Sequence, residues 1–373
     1  MNVPKLRFKE FNDNWRSYKL SDLVEFFKGN LLAKSDLDDN GKYPCILYGQ
    51  LYTKYKEVIR IIESKTNRDE KNIPRSQKGD VLIPSSGETP IDISTSSCIQ
   101  SDNVLLGGDI NILRPINCDG RFLSYAINNN KKTEIARVAQ GHSVVHLYID
   151  NLKYISINVP SIKEQNKIAD ALELLDKKIE LQSKKIEDLK LFKKGLLQKQ
   201  YNYIKDKNLV ELSDIANIYQ PQTISQNKLD NGKYFVFGAN GIIGKYSRYN
   251  HKKKQITISC RGENSGKVNI TPEKCWITGN SMVLNIDNNY NVDKIYLKCV
   301  LDSQNLRYLI SGSGQPQITR NVILKHKIPL LPILEQKKFR NPFIKLDLKI
   351  HLEETKVNKL LDIKKGLMQD MFA

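Results

Sequence analysis

The chain has 373 residues, 40% hydrophobic and 27% charged, with a formal net charge of +18. That length supports two or three domains without disulfide reinforcement, and the six scattered cysteines contain no CxxC pair, which speaks against a zinc site or a secreted disulfide framework and for a reducing cytosol. The opening MNVPKLRFKEF lacks the apolar stretch of a signal peptide, and the longest apolar run, IPLLPIL at 328–334, is too short for a bilayer and holds two prolines; a cytoplasmic protein with no membrane partner is expected.

Charge is spread unevenly. Residues 201–334 hold 18 Lys/Arg against 9 Asp/Glu, half of the whole excess, and such a field draws anionic partners. Lys-rich composition serving solubility alone is the plainer alternative.

In chain order, residues 1–158 read as a mixed α/β globular part. Ser21 is a candidate helix N-cap, and DVLIP (80–84) and NILRP (111–115) are short apolar runs bounded by turn residues, the mark of strands. The polar loop Ser85-Ser86-Gly87-Glu88-Thr89 follows the first of these, and Gln140-Gly141-His142-Ser143 lies just ahead of the next segment.

Residues 159–203 read as one long helix. Ile168, Leu172, Leu175, Ile179, Ile186, Leu189 and Leu196 fall on alternating steps of four and three, with Gln182 and Lys193 as polar interruptions. Apolar residues every 3.5 positions keep one seam turned to a partner helix, the coiled-coil pattern. Ser161 and Glu164 have the spacing of a capping box.

A second globular part follows at 204–330. Ser213 repeats the N-cap position of Ser21, and QITIS (255–259) and SMVLNI (281–286) are strand candidates. Lys245, Arg248, Lys252 and Lys253 stand in a basic run interleaved with tyrosines, suited to phosphate contact. Arg261 and Asn264 lie on a glycine-bounded loop and Gln315 and Gln317 on another, and these side-chain types match base edges. Simple polar turns are the bland alternative at each position.

Residues 331–373 repeat the helical segment. Glu164–Gln198 overlays Glu335–Gln369 without a gap, with 15 of 35 positions identical, and KKGLLQ (193–198) answers KKGLMQ (364–369). Phe343, Leu346, Ile350, Val357, Leu360 and Leu367 carry the same seam, and Glu353 and Lys364 the same polar gaps. Two such helices, each of roughly 50 Å, hide their seams most simply by pairing, and a pseudo-twofold repeat makes the pair antiparallel. Pro342 is expected to break or kink the second helix.

Sites for chemistry are weak. GENSGKV (262–268) misses the P-loop spacing and its Ser/Thr. GSGQ (312–315) lacks a downstream acidic partner, and Asn341-Pro342-Phe343 lacks the second proline of a methyltransferase motif. His142 and His146 have no third ligand beside them. No catalytic and no metal residue is assigned.

With repeat, charge and tails together, the sequence resembles the specificity (S) subunits of type I restriction–modification systems. PKLRFKEFNDNWRSYKLSDL resembles their usual start, VPSIKEQNKIADALELLDKKIE through KKGLLQ their central conserved region, and LPILEQKKF through KKGLMQDMF the distal one. The resemblance implies an α/β chain with two target-recognition domains (1–158 and 204–330), each reading half of a bipartite double-stranded DNA site. It implies conserved helical regions (159–203 and 331–373) forming an antiparallel coiled coil that spaces them. Two methyltransferase (M) subunits would dock on the helices, with restriction (R) subunits joined through them, and S-adenosylmethionine, ATP and Mg2+ would be used on those partners, none on this chain. An autonomous nuclease or methyltransferase, and a coiled-coil scaffold with incidental charge, are the competing classes.

Overall fold

The structure is a computed structural model that describes residues 4–141, 143–239, 241–310 and 317–372. His142 and Gln315 lie outside the described residues. The chain forms two compact units, residues 1–183 with 355–373, and residues 184–354. Two long helices contribute to both units, α2 (Ile162–Asn202) and α4 (Ile333–Met371), of 41 and 39 residues.

The first unit is built on a five-stranded sheet. Its strands are β1 (Val24–Lys28), β2 (Val58–Ile59), β3 (Val81–Pro84), β4 (Ser97–Ile99) and β5 (Ile110–Pro115), in the order β1-β5-β3-β4-β2. β3 reads VLIP and is buried at all four positions, as expected of a central strand covered on both faces. Helix α1 (Gly120–Ala126) and the start of α2 cover it, so that Trp15, Phe122, Tyr125, Ile168 and Leu172 share one core with Met368, Met371 and Phe372 of α4 and the tail. Full burial of each large side chain there is worth about 1.5–3 kcal/mol.

The second unit repeats the plan with one strand fewer. β6 (Asn217–Tyr219), β7 (Ile256–Ser259), β8 (Val268–Ile270) and β9 (Ser281–Asn285) run in the order β6-β9-β7-β8, and helix α3 (Lys294–Ser303) takes the place of α1. Phe339 and Phe343 of α4 and Leu197 of α2 join Tyr296, Ile258 and Leu284 in its core.

Pairing of the helices is read inside each unit. In the second, Lys185 and Lys190 meet Glu353 and Glu354, and Lys193, further along α2, meets Asp347, further back on α4; in the first, Lys364 meets Asp176 at 2.7 Å. The helices form an antiparallel coiled coil. Along the seam Ile168, Leu172, Ile179, Ile186, Phe343 and Ile350 are buried, while Leu175, Leu189, Leu196, Leu346, Val357, Leu360 and Leu367 are half-buried. The polar gaps are filled rather than empty: Glu353 is only 5% exposed and accepts from Lys185.

Three local expectations change. α4 runs through Pro342 as one helix; the proline removes one backbone bond near the helix start, where buried Phe339 and Phe343 on either side hold the turn in place. Ser21 and Ser213 lie inside short helices whose caps are Lys19 and Glu211, and the capping acceptors are Asp22 and Asp214. Glu164 does not serve a capping box. It is 1% exposed and turns both oxygens to Arg7, at 2.7 Å each, with Trp15 donating to one of them.

Candidate nucleic-acid interface

Each globular part is fixed to its helix by the same short device. Gln165, buried at the start of α2, accepts from the Asp119 backbone N–H at 3.0 Å and donates to Pro160 O at 2.9 Å. Asp119 in turn caps α1, accepting from Arg121 N and Phe122 N. In the second unit Gln336 accepts from Asp293 N at 2.8 Å and donates to Asn291 O and Leu331 O, and Asp293 caps α3 through Ile295 N and Tyr296 N. A buried amide with both ends satisfied sets direction as well as stability. The repeated Glu-Gln pair of the sequence therefore marks a helix-to-domain lock, carried by the glutamine.

The repeated lysines answer the repeated aspartates. Lys364 reaches Asp176 at 2.7 Å and Glu57 at 2.9 Å in the first unit, where Tyr125 also donates to Asp176 at 2.6 Å. Lys193 reaches Asp347 in the second. Burial lowers the Lys364 pKa, but Glu57 and Asp176 outweigh it and the group stays charged. Burial, and then the Asp176 charge, push the Tyr125 hydroxyl up, so it remains a donor.

In the first unit the two polar stretches expected to act together do meet. Ser86–Gly87 pairs with Val145–His146, and Gln140 bridges to His146. Ser85 and Ser86 are each 5% exposed, and Thr89 caps the short helix Pro90–Ile93 through Asp92. Ser85 and Ser86 are thus turned into the fold, while Thr89 is engaged as a cap. Glu88, Gln140 and Ser143 are exposed, as are Ile91, Val144 and Tyr148.

In the second unit Lys245 lies on the outer strand of a hairpin, Tyr234–Gly238 with Gly241–Tyr246, its ammonium 5.7 Å from the Phe235 ring. Arg248, Lys252 and Lys253 are exposed beyond it. The turn that displays them is pinned by buried His251, whose ring meets Tyr219 Oη at 2.8 Å and Asn250 Oδ1 at 2.6 Å. Arg261 is exposed and bridges to Gln317. Its loop turns at Gly262 and Gly266, both at positive φ (79° and 90°), a conformation that favours glycine, and Arg307 donates to Glu263 O. Asn264 instead lines a 310 Å³ groove with Asp302, Asn305 and Arg307. The sequence reading missed the exposed apolar members of the hairpin, Phe235, Ile242 and Ile243; the alternation of YFVFG and GIIGKY about Ala-Asn was the available signal.

Among the described residues no group of three or more His, Cys, Asp and Glu is placed to hold a metal, and no helix is long and apolar enough to cross a membrane.

Two related β-rich domains, each locked to a paired-helix frame by the same contacts, define a tandem recognition protein. Comparison with known proteins gives the class its family. The family described as "Type I restriction modification DNA specificity domain" matches residues 12–191 and again 204–362, and the chain belongs to it. It is 24% identical to a putative type I restriction enzyme specificity subunit of Methanocaldococcus jannaschii, over 98% of this chain and 95% of that one. It is 22% identical to a putative type I specificity subunit of Mycoplasma genitalium, over 99% and 96%. The fold matches the crystal structure of the type I restriction–modification S subunit from M. genitalium with a TM-score of 0.69 at 19% identity, covering 100% of this chain and 99% of that one. A structure titled for complex assembly and conformational transition of the type I R-M system gives 0.57 at 14%, covering 97% and 98%.

Proposed function

We propose that this chain is the DNA-recognition subunit of a cytoplasmic type I restriction–modification complex, in which residues 1–158 and 204–330 each read one half of a bipartite duplex site. The observation that carries the reading is the doubled lock. Gln165 with Asp119 and Gln336 with Asp293 each fasten one of two diverged domains to the start of its own long helix, in keeping with one reader for each half-site.

Base contact is assigned to Arg261, Gln317 and Gln140, and phosphate contact to Lys245, Arg248, Lys252 and Lys253, in keeping with their exposure and chemistry. The helical regions 159–203 and 331–373 set the spacing and dock two methyltransferase subunits. Leu181 with Leu352, and Phe192 with Ile363, stand at equivalent positions and are 52–61% exposed, giving two like apolar faces for two copies of one partner. Methylation and, through restriction subunits, cleavage then belong to the partners. The experiment is selection from a random duplex library by the chain with its methyltransferase subunit. Enrichment of a two-part sequence supports the reading, and methyl transfer or cleavage by the isolated chain overturns it.

A further inference from the structure

The two units differ at one sheet edge. In the first, β2 closes the sheet beside β4, in parallel, with Val58 opposite Cys98 and Ile59 opposite Ile99. Cys98 N donates to Glu57 O at 2.8 Å and Gln100 N to Ile59 O at 2.9 Å. The segment is held from three more sides: Ser124 Oγ of α1 donates to Glu57 O, Lys364 meets the Glu57 carboxylate, and Arg60 meets Glu173 of α2.

In the second unit β8 is, among the described residues, the last strand of its sheet. Ser259 N donates to Lys267 O and Thr271 N to Gln255 O, so by the alternation of an antiparallel ladder Val268 and Ile270 turn their N–H and C=O groups outward. A groove of 750 Å³ lies along that edge, lined by Val268 and Ile270, by Lys298 of α3, and by Ile344, Asp347 and Leu348 of α4. The repeat relates these walls to the residues that hold β2. Lys298 takes the place of Ser124, five residues after the capping aspartate in both helices. Ile344 and Asp347 take the places of Glu173 and Asp176.

We infer that this groove receives an extended segment of the methyltransferase subunit, which adds beside β8 as a parallel fifth strand. The occupant chemistry is set by the filled copy: an acidic residue followed by two β-branched ones, as in Glu57-Val58-Ile59. Lys193, the counterpart of Lys364, reaches Asp347 on the groove wall and puts a cation where Glu57 meets one. Leu348 of the wall and Leu352 beyond it are 60% and 61% exposed, so the groove continues into the helix face assigned above to methyltransferase docking, a reading on which this inference rests. Strand addition gains affinity through main-chain bonds and specificity through alternate side chains, and it covers an edge otherwise open to unwanted pairing. Pro272 has no N–H, so the added ladder ends at Ile270.

The test is residue-level amide hydrogen exchange on the full chain, alone and with the methyltransferase subunit, with co-elution reporting assembly. Tenfold or greater slowing at Val268 and Ile270 in the complex is expected, with Cys98, already bonded to Glu57, unchanged. Assembly without slowing at those two amides overturns the strand and leaves the docking reading intact. Absence of assembly overturns both. Slowing in the chain alone at raised concentration assigns the groove to a second copy and overturns the inference. Ile270→Pro, which removes an outward donor at a position where an edge strand tolerates proline, is expected to weaken co-assembly about fivefold; unchanged affinity counts against the strand.

Discussion

Lys193 and Lys364 hold equivalent places in the repeat, but their settings are unequal. Lys364 is 12% exposed between carboxylates that are 17% and 21% exposed, whereas Asp347 opposite Lys193 is 58% exposed. Removing a buried cation leaves its acids uncompensated, while a solvated pair contributes little. Lys364→Met is therefore expected to cost about 3 kcal/mol and Lys193→Met about 1 kcal/mol or less, read as urea midpoints at constant m-value. Equal losses would contradict this account of the first unit. Histidines give the second unit a pH dependence. Burial lowers the pKa of both His251 and His326, so they fold neutral. Below about 6.5 the unfolded chain takes up protons that the folded one refuses. Stability is then full above that value and falls as pH drops through the lowered folded pKa values. Unfolding of the second unit, followed by hydrogen exchange at pH 7.5 and 5.5, is expected to show the loss, and His251→Gln with His326→Gln to flatten it.

At the scale of elements, the two helices test separate ideas. Ile179 is 3% exposed on the seam, and Ile179→Asp buries a charge among apolar groups; a loss of at least about 3 kcal/mol is expected in thermal or urea unfolding. Pro342 lies inside α4 and withholds a backbone donor. Pro342→Ala is expected to stabilise by about 2 kcal/mol, and a loss of stability would show that the ring itself packs productively. The helices were legible because their seam repeats every 3.5 residues and the same pattern occurs twice. The break expected at Pro342 was misplaced, because tertiary burial of Phe339 and Phe343 is invisible to local propensity. Glu164 looked like a cap for the same reason: its partners Arg7 and Trp15 are some 150 residues away in sequence. Strands such as Val81–Pro84 and Ile256–Ser259 announced themselves as bounded apolar runs. The burial of Ser85 and Ser86, and the use of Thr89 as a cap, depended on which loop the strand Val145–His146 would meet. The unpaired edge of β8 became visible only beside its filled counterpart.

For the whole molecule, the claim is that one chain carries two readers at a spacing fixed by its helices. Seven residues inserted at equivalent seam positions in α2 and α4 lengthen each helix by about 10 Å, roughly three base pairs of duplex at 3.4 Å each. The preferred spacer is expected to lengthen accordingly while both half-sites stay the same. The most direct measurement is selection of duplexes from a random library by the chain assembled with its methyltransferase subunit, followed by sequencing. The account predicts two constant segments separated by a spacer of fixed length and free sequence, with Arg261→Ala altering one segment alone. A single contiguous site, or no enriched sequence from an intact assembly, would contradict it.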